Sequence, residues 1–303
     1  MHGSIPWYLR CYALLMPKNT GKTILVCGAT GKQGGAALRH LRERGFSARA
    51  LTRDPSKPEA RALVGHGTEL VRGDLNDPAS LTSALDGVDG IYSVQASRGG
   101  AEAEIRQGIA LADAAKRQRI THFVYSSVAS ADQKTGSPHF ESKARIEEHI
   151  RGTGLRYTIL RPVFFMENWL GMRKQIEEGT LALPLRPETR LQMVAVDDIG
   201  GCVATAFEKP GHWKGRAVEL AGDELTIAEL VQAFARMAGR EVGYQQVPWD
   251  EFERQAGQEY TLMYRWFDEV GYHVDISALR QEYPKLTGFE KWLQANWSKW
   301  LTA

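Results

Sequence analysis

Gly28-Ala-Thr-Gly-Lys-Gln-Gly-Gly35 has the glycine spacing of a loop that holds a diphosphate with its backbone amides. Gly28 suits a tight turn, Gly31 lets backbone approach the anion, and Gly34 lets the following helix pack closely on the strand before it. The N–H groups that open such a helix have no partner within it and face the anion. Gly28, Thr30, Gly31, Lys32, Gln33 and Gly34 are therefore the expected dinucleotide contacts of this loop. A second cluster decides which dinucleotide. An acid at the end of the next strand would accept from a ribose 2′-hydroxyl and select NAD. This chain has Thr52 and Arg53 there, and a guanidinium pairs with a 2′-phosphate through charge-assisted hydrogen bonds. Lys32 supplies a second cation within the loop. NADP, with NADPH preferred, is the expected cofactor. NAD stays open through Asp54, which would face the ribose if the strand ended one position later.

The surrounding pattern supplies the elements that such a loop needs. Residues 23–27 form a short apolar run before the loop, and residues 36–43 are helix formers that stop at Gly45. Strands are expected at 46–52, 68–72, 90–95, 122–126 and 157–161, and helices at 102–116 and 139–150. Another helix should run to Leu85, with Asn76-Asp77 as its cap and Pro78 in its first turn. Such alternation implies an α/β fold, a doubly wound parallel sheet with helices on both faces. After Pro162 the rhythm breaks. Thr226 should cap a long amphipathic helix to Met237, and Phe289, Trp292, Leu293, Trp297 and Trp300 recur at a helical spacing suited to core docking. The expected organisation is a peripheral extension at 1–20, a Rossmann core at 21–162, and a smaller, mostly helical lobe at 163–303. A segment at about 190–208, a strand feeding a capped helix, would return to the sheet.

Composition narrows the function classes. At 303 residues, 43% hydrophobic and 24% charged, with a net charge of +2, the chain reads as an ordinary globule without an electrostatic footprint for nucleic acid. Its leader, interrupted by Pro6, Arg10 and Pro17, is too short for a membrane span. Cys11, Cys27 and Cys202 form no C-x-x-C pair and no metal spacing, so no metal site is expected and a reducing, cytoplasmic setting is. Cys27 ends the first strand, where a small buried residue suits better than a redox sensor.

The chain resembles the NmrA-like family, atypical members of the extended short-chain dehydrogenase/reductase superfamily. The likeness rests on the glycine loop, Leu51-Thr-Arg-Asp54, Gly73-Asp-Leu75, His139-Phe-Glu-Ser-Lys143, Arg161-Pro-Val-Phe-Phe-Met-Glu-Asn168 and Val196-Asp-Asp-Ile199. The resemblance implies NAD(P) binding and a Rossmann core with a small C-terminal lobe. It implies that Asp74 and Leu75 flank the adenine, and that Gln95, with Val94 and Ala96, lines the path to the nicotinamide. Phe164, Phe165, Asn168 and Trp169 would form the floor between the lobes, although Phe164 and Trp169 suit simple packing as well.

Conventional members of that superfamily place a Tyr one helical turn before a Lys, on one face. The Lys binds the nicotinamide ribose, and the Tyr trades a proton with a carbonyl. Here Lys143 is present, but His139 stands in place of the Tyr. Three interpretations follow: a site that binds nucleotide without chemistry, with Lys143 anchoring the ribose; His139 as general acid, which an ordinary imidazole permits; or an acceptor such as a quinone that needs little positioned acid. Ser126 or Ser127 could orient a substrate, or simply occupy a turn, and Tyr125 reads as core. The His-Phe-x-x-Lys arrangement resembles the family's redox sensors. The expected function is therefore NADP(H)-dependent sensing of the nucleotide pool, relayed to a regulatory protein partner. The alternative is an NAD(P)H-dependent oxidoreductase for a quinone or another small apolar carbonyl or alkene.

Overall fold

The computed structural model describes residues 19–302 except 65–66 and 96–98. Residues 1–18 with Cys11, Ala96 and the Trp300 side chain lie outside the described residues. The strands are β1 (Thr23–Val26), β2 (Ser47–Thr52), β3 (Thr68–Arg72), β4 (Gly90–Ser93), β5 (His122–Ser126) and β6 (Tyr157–Pro162). With β10 (Arg216–Leu220) they form a seven-stranded sheet of order β10-β6-β5-β4-β1-β2-β3. Every pairing in it is parallel. Helices α1 (Lys32–Glu43), α2 (Pro58–Val64), α3 (Pro78–Ala84), α4 (Ala101–Arg117) and α5 (Pro138–Thr153) alternate with the strands. Asp77 caps α3 by accepting from Ala79 N, with Pro78 in the first turn, as its sequence requires.

Strand residues alternate between two cores. Ile24, Val26, Ala48, Ala50, Tyr92, Val124 and Leu160 face α1 and the small lobe. Leu25, Leu51, Ile91, Phe123, Tyr125 and Ile159 face α4 and α5. A sheet covered on both faces needs apolar residues at successive positions, which is why these strands are continuous apolar runs.

Beyond Pro162 the chain builds a second lobe from β7 (Phe164–Phe165), β8 (Thr180–Leu183), β9 (Arg190–Val194), β11 (Asp223–Thr226) and β12 (Gly243–Gln246). Helices α6 (Arg173–Glu177), α7 (Val196–Glu208), α8 (Pro210–Trp213), α9 (Ile227–Ala238), α10 (Trp249–Ala256), α11 (Gln258–Glu269), α12 (Ile276–Glu282) and α13 (Phe289–Thr302) complete the chain. Thr226 and Glu229 cap α9 reciprocally, and Gly239, in the left-handed region, ends it. Phe289, Trp292 and Leu293 of α13 are buried, and Phe289 packs edge-on against Phe234 at 5.7 Å.

One expectation needs correction. The strand near residue 193 does not rejoin the large sheet: β9 lies between β11 and β7 in a three-stranded sheet of its own. The strand that does rejoin is β10, whose Arg216 pairs with Thr158 of β6. A parallel neighbour for β6 needs a crossover helix before it. Helix α7 is that crossover, so the strand after it reaches the edge and the strand before it cannot. Among the described residues no helix is long and apolar enough to cross a membrane.

Candidate functional site at the carboxyl edge of the sheet

The sheet order reverses between β1 and β4, and the crevice beyond their carboxyl ends is where an open parallel sheet accepts ligands. The glycine loop sits there. Gly28 has φ +58°, and its carbonyl accepts from Gly31 N at 2.8 Å, closing the turn. Gly34 lies so close beneath that a Cβ on it would stand 2.2 Å from the Gly28 oxygen. Helix α1 begins with no side-chain cap and no acid in its first turn, so its opening amides and dipole are directed at the crevice.

Gln33 Oε1 accepts from Tyr92 OH at 3.1 Å and from Ser126 Oγ at 2.6 Å, tying α1 to the ends of β4 and β5. Thr30 is exposed at the mouth of the turn. Lys32, expected as a second cation for a phosphate, donates one proton to the Glu167 carbonyl at 3.2 Å and bridges the lobes.

At the end of β2, Arg53 is exposed and has no ion pair or hydrogen bond among the described residues. Asp54 is occupied: its Oδ1 accepts from Ser56 N at 2.9 Å and from Ser56 Oγ at 2.6 Å. Those two bonds hold its carboxyl below the usual range. The local turn thus engages one oxygen of the acid that would have faced a ribose, and leaves the guanidinium open.

Asp74 is half engaged. Its Oδ1 accepts from Asn76 N at 2.9 Å and Nδ2 at 3.1 Å, which is a turn role and involves one carboxylate oxygen. Leu75 packs on the α4 and α5 face of the core. Gln95 is buried; its Nε2 donates to Ser93 Oγ at 2.9 Å, while Oε1 finds no partner among the described residues.

On α5, Lys143 is 5% exposed. Its Nζ donates to the Ser126 carbonyl at 3.2 Å, lies 2.7 Å from Glu104 Oε1 and sits 5.5 Å from the centre of the Tyr125 ring. Glu104, from α4, is 2% exposed, and its other oxygen accepts from Ser142 Oγ at 2.8 Å. Burial pushes the Glu104 carboxyl up, but the Lys143 charge and these bonds prevail, leaving it below its ordinary value. His139 goes the other way: burial, and then the Lys143 charge, press its imidazole down to about 4. At neutral pH it is uncharged, which removes the imidazolium that a general acid would need. His139 stands beside Phe140, which packs on Trp266 at 5.0 Å, so the start of α5 is also where the small lobe docks.

The two serines are spoken for. Ser126 serves Gln33, and Ser127 donates to Glu147 Oε1 at 2.5 Å. Glu147 in turn receives the buried Arg161 guanidinium at 2.9 and 2.7 Å, a structural clamp behind the site. Tyr125 is core, its hydroxyl driven far above its usual pKa by burial. Phe164 and Trp169 are buried and pack on each other at 5.4 Å, while Asn168 is exposed. Cys27 and Cys202 are buried, each thiol pushed up to about 12, chiefly by burial. Among the described residues no group of three or more His, Cys, Asp or Glu could hold a metal ion.

Two functional residues escaped the sequence reading. Glu104 lies on the same helix face as Gly108, Leu111 and Ala115, all buried. An acid on an apolar stripe is a signal, though one that names no partner. Glu167 accepts from Trp292 Nε1 at 3.0 Å and from Val196 N at 3.0 Å, and its carbonyl holds Lys32. It joins α1, α7 and α13, and no local pattern announces that.

A model of the NmrA-like family matches residues 20–293. The NAD(P)H azoreductase of Xenophilus azovorans is 32% identical over 73% of this chain and 76% of its own length. Quinone oxidoreductase 2 of Escherichia coli is 27% identical over 76% of this chain and 79% of its own. In fold, the chain is similar to Citrobacter sp. triphenylmethane reductase, solved with NADP(H). Their TM-score is 0.79 at 24% identity, over 90% of this chain and 99% of the other. With a family model running from the strand before the glycine loop into the closing helix, this chain belongs to the NmrA-like family.

Proposed function

We propose that the chain binds NADP(H), prefers NADPH to NADH, and passes hydride to a small apolar acceptor that needs no protein acid, a quinone. One observation carries the reaction class: the position one turn before Lys143 holds His139, its imidazole pressed down by burial and by the Lys143 charge, and no tyrosine hydroxyl. A quinone that takes hydride becomes a hydroquinone anion, stable enough to collect its proton from water. A simple ketone would become an alkoxide, and would need the missing donor. The name of the quinone oxidoreductase relative agrees with this class. Arg53, open beside an Asp54 that gives one oxygen to Ser56, supports the choice of NADPH.

The cofactor supplies the hydride. Backbone at Gly28–Lys32 would hold its diphosphate, Arg53 its 2′-phosphate and Lys143 its nicotinamide-side ribose. Asp74 and Leu75 would flank the adenine, with Gln95, Phe164 and Asn168 toward the nicotinamide. The buried thiols of Cys27 and Cys202 suit a cytoplasmic location. NADPH consumption against a panel of quinones, with Lys143→Ala as control, tests the proposal. Lysine-dependent turnover supports it, and binding without turnover on any acceptor refutes it.

The same neutral His139 favours a second reading, a nucleotide sensor that regulates a protein partner. Such coupling requires two conformations with unequal nucleotide affinity. A pull-down with NADPH and with NADP⁺ addresses it, and equal partner capture in both states eliminates signalling.

A further inference from the structure

We propose that Glu104 is a positioning residue that holds the Lys143 ammonium where the nicotinamide-side ribose of a bound dinucleotide meets it. It would set affinity for that half of the cofactor without touching it. The proposal rests on the nucleotide-binding reading above. A lone carboxylate buried to 2% exposure is strongly disfavoured, so its retention in α4 needs partners. Glu104 has two, Lys143 Nζ at 2.7 Å and Ser142 Oγ at 2.8 Å, one on each oxygen. Both oxygens are therefore pinned, and with them the carboxylate plane.

An ammonium has three protons on a flexible four-carbon stem. The Ser126 carbonyl at 3.2 Å takes one, and the Glu104 carboxylate holds the ammonium as an ion pair at 2.7 Å. The hydrogen bond and the ion pair together fix where the ammonium sits, and they leave it donor capacity for a ligand hydroxyl. Ser126 also donates to Gln33 Oε1, so a continuous chain runs from the glycine-loop helix through Ser126 and Lys143 to Glu104. The chain links the amides that would hold the diphosphate to the amine that would hold the ribose. Glu104 also balances the lysine charge, so the ribose meets an oriented donor of a neutral pair instead of a mobile cation.

Glu104→Gln keeps the shape and removes the charge. Calorimetric titration with NADPH should show about tenfold weaker binding, the scale of one hydrogen bond to a charged group. Adenosine 2′,5′-bisphosphate, which lacks the nicotinamide riboside, should bind Glu104→Gln as it binds wild type. In a Lys143→Met background, Glu104→Gln should weaken NADPH no further. A merely structural role would weaken both ligands alike, or act equally in both backgrounds, and either result overturns the proposal. So does unchanged NADPH affinity. If Glu104→Gln fails to fold, Ser142→Ala frees one carboxylate oxygen while keeping both charges, and should show a smaller loss confined to NADPH; equal loss for both ligands refutes. Wild type that binds neither ligand overturns the nucleotide reading itself and this proposal with it.

Discussion

One methyl group added at Gly34 should harm both folding and nucleotide binding, while the same group at Gly35 should do neither. A Cβ at residue 34 would stand 2.2 Å from the Gly28 oxygen, 2.5 Å from its carbonyl carbon and 2.8 Å from Ala29 N. All three are backbone atoms of the turn, so no side chain can swing aside. Restoring ordinary contact requires roughly 1 Å of movement between α1 and the end of β1. Overpacking of this kind costs about 1–3 kcal/mol, and contact with backbone belongs at the upper end. Alanine returns up to about 1 kcal/mol of that through its helix propensity. The net loss for Gly34→Ala is then about 2 kcal/mol, or about 4 °C in Tm for a chain of this size. At Gly35 the added Cβ would meet only the Ala29 oxygen at 3.6 Å, an ordinary contact, so Gly35→Ala should be neutral or gain about 0.5 kcal/mol. The loop that moves in Gly34→Ala carries the expected diphosphate amides, so NADPH affinity should fall by tenfold or more, each tenfold being about 1.4 kcal/mol. Thermal melts and titration calorimetry on the two variants measure both effects. A Gly34→Ala protein that melts with Gly35→Ala and binds NADPH like wild type would refute the reasoning.

Arg53→Asp should lower NADPH affinity about tenfold while NADH holds or improves, as expected for an exposed charge-assisted contact. Asp54→Asn should leave the coenzyme ratio unchanged, and calorimetry with both coenzymes checks the pair. Burial, then the charges of Lys214 and Lys22, holds His122 down to about 3, against 6.5 for a free imidazole. The unfolded chain takes the proton first as pH falls. Stability is therefore full above pH 6.5 and is lost from there toward 3, on the order of a few kcal/mol in all. His122→Phe, which keeps the ring contact with Phe207, should flatten urea-denaturation stability across that range, leaving the slope of the same sign that His139 contributes. With Cys11 replaced by Ser, a thiol reagent at pH 8 should find nothing in the native protein and two thiols once it is unfolded, since Cys27 and Cys202 are buried. Rapid native labelling would return Cys27 to consideration as a sensor.

Much of the fold was legible in sequence because its rules are local. Continuous apolar runs separated by helical periods require a parallel sheet, and β3 and β5 begin and end where their residues said they would. The Thr226 and Asp77 caps lie within a turn of the amides they serve. The return to the sheet was misread, because a strand's partner depends on which edge is vacant when it arrives, and that is a property of the whole sheet. Phe164 and Trp169 were ambiguous in sequence, since an aromatic run reads alike whether it lines a pocket or fills a core. Only the tertiary structure shows that both are buried and pack on each other.

By itself the sequence determined a glycine loop between strand and helix, an arginine where a ribose-binding acid would stand, and a lysine without its tyrosine. Each is a statement about residue type at a fixed spacing. Only the tertiary structure decided which of those groups are free. Asp54 gives one oxygen to Ser56, Lys32 one proton to the Glu167 carbonyl, and Lys143 is shared with Glu104. The physical reason is that charge and hydrogen-bonding capacity are spent on whatever lies within about 3 Å, and for Lys32 and Lys143 the neighbours that matter come from distant parts of the chain.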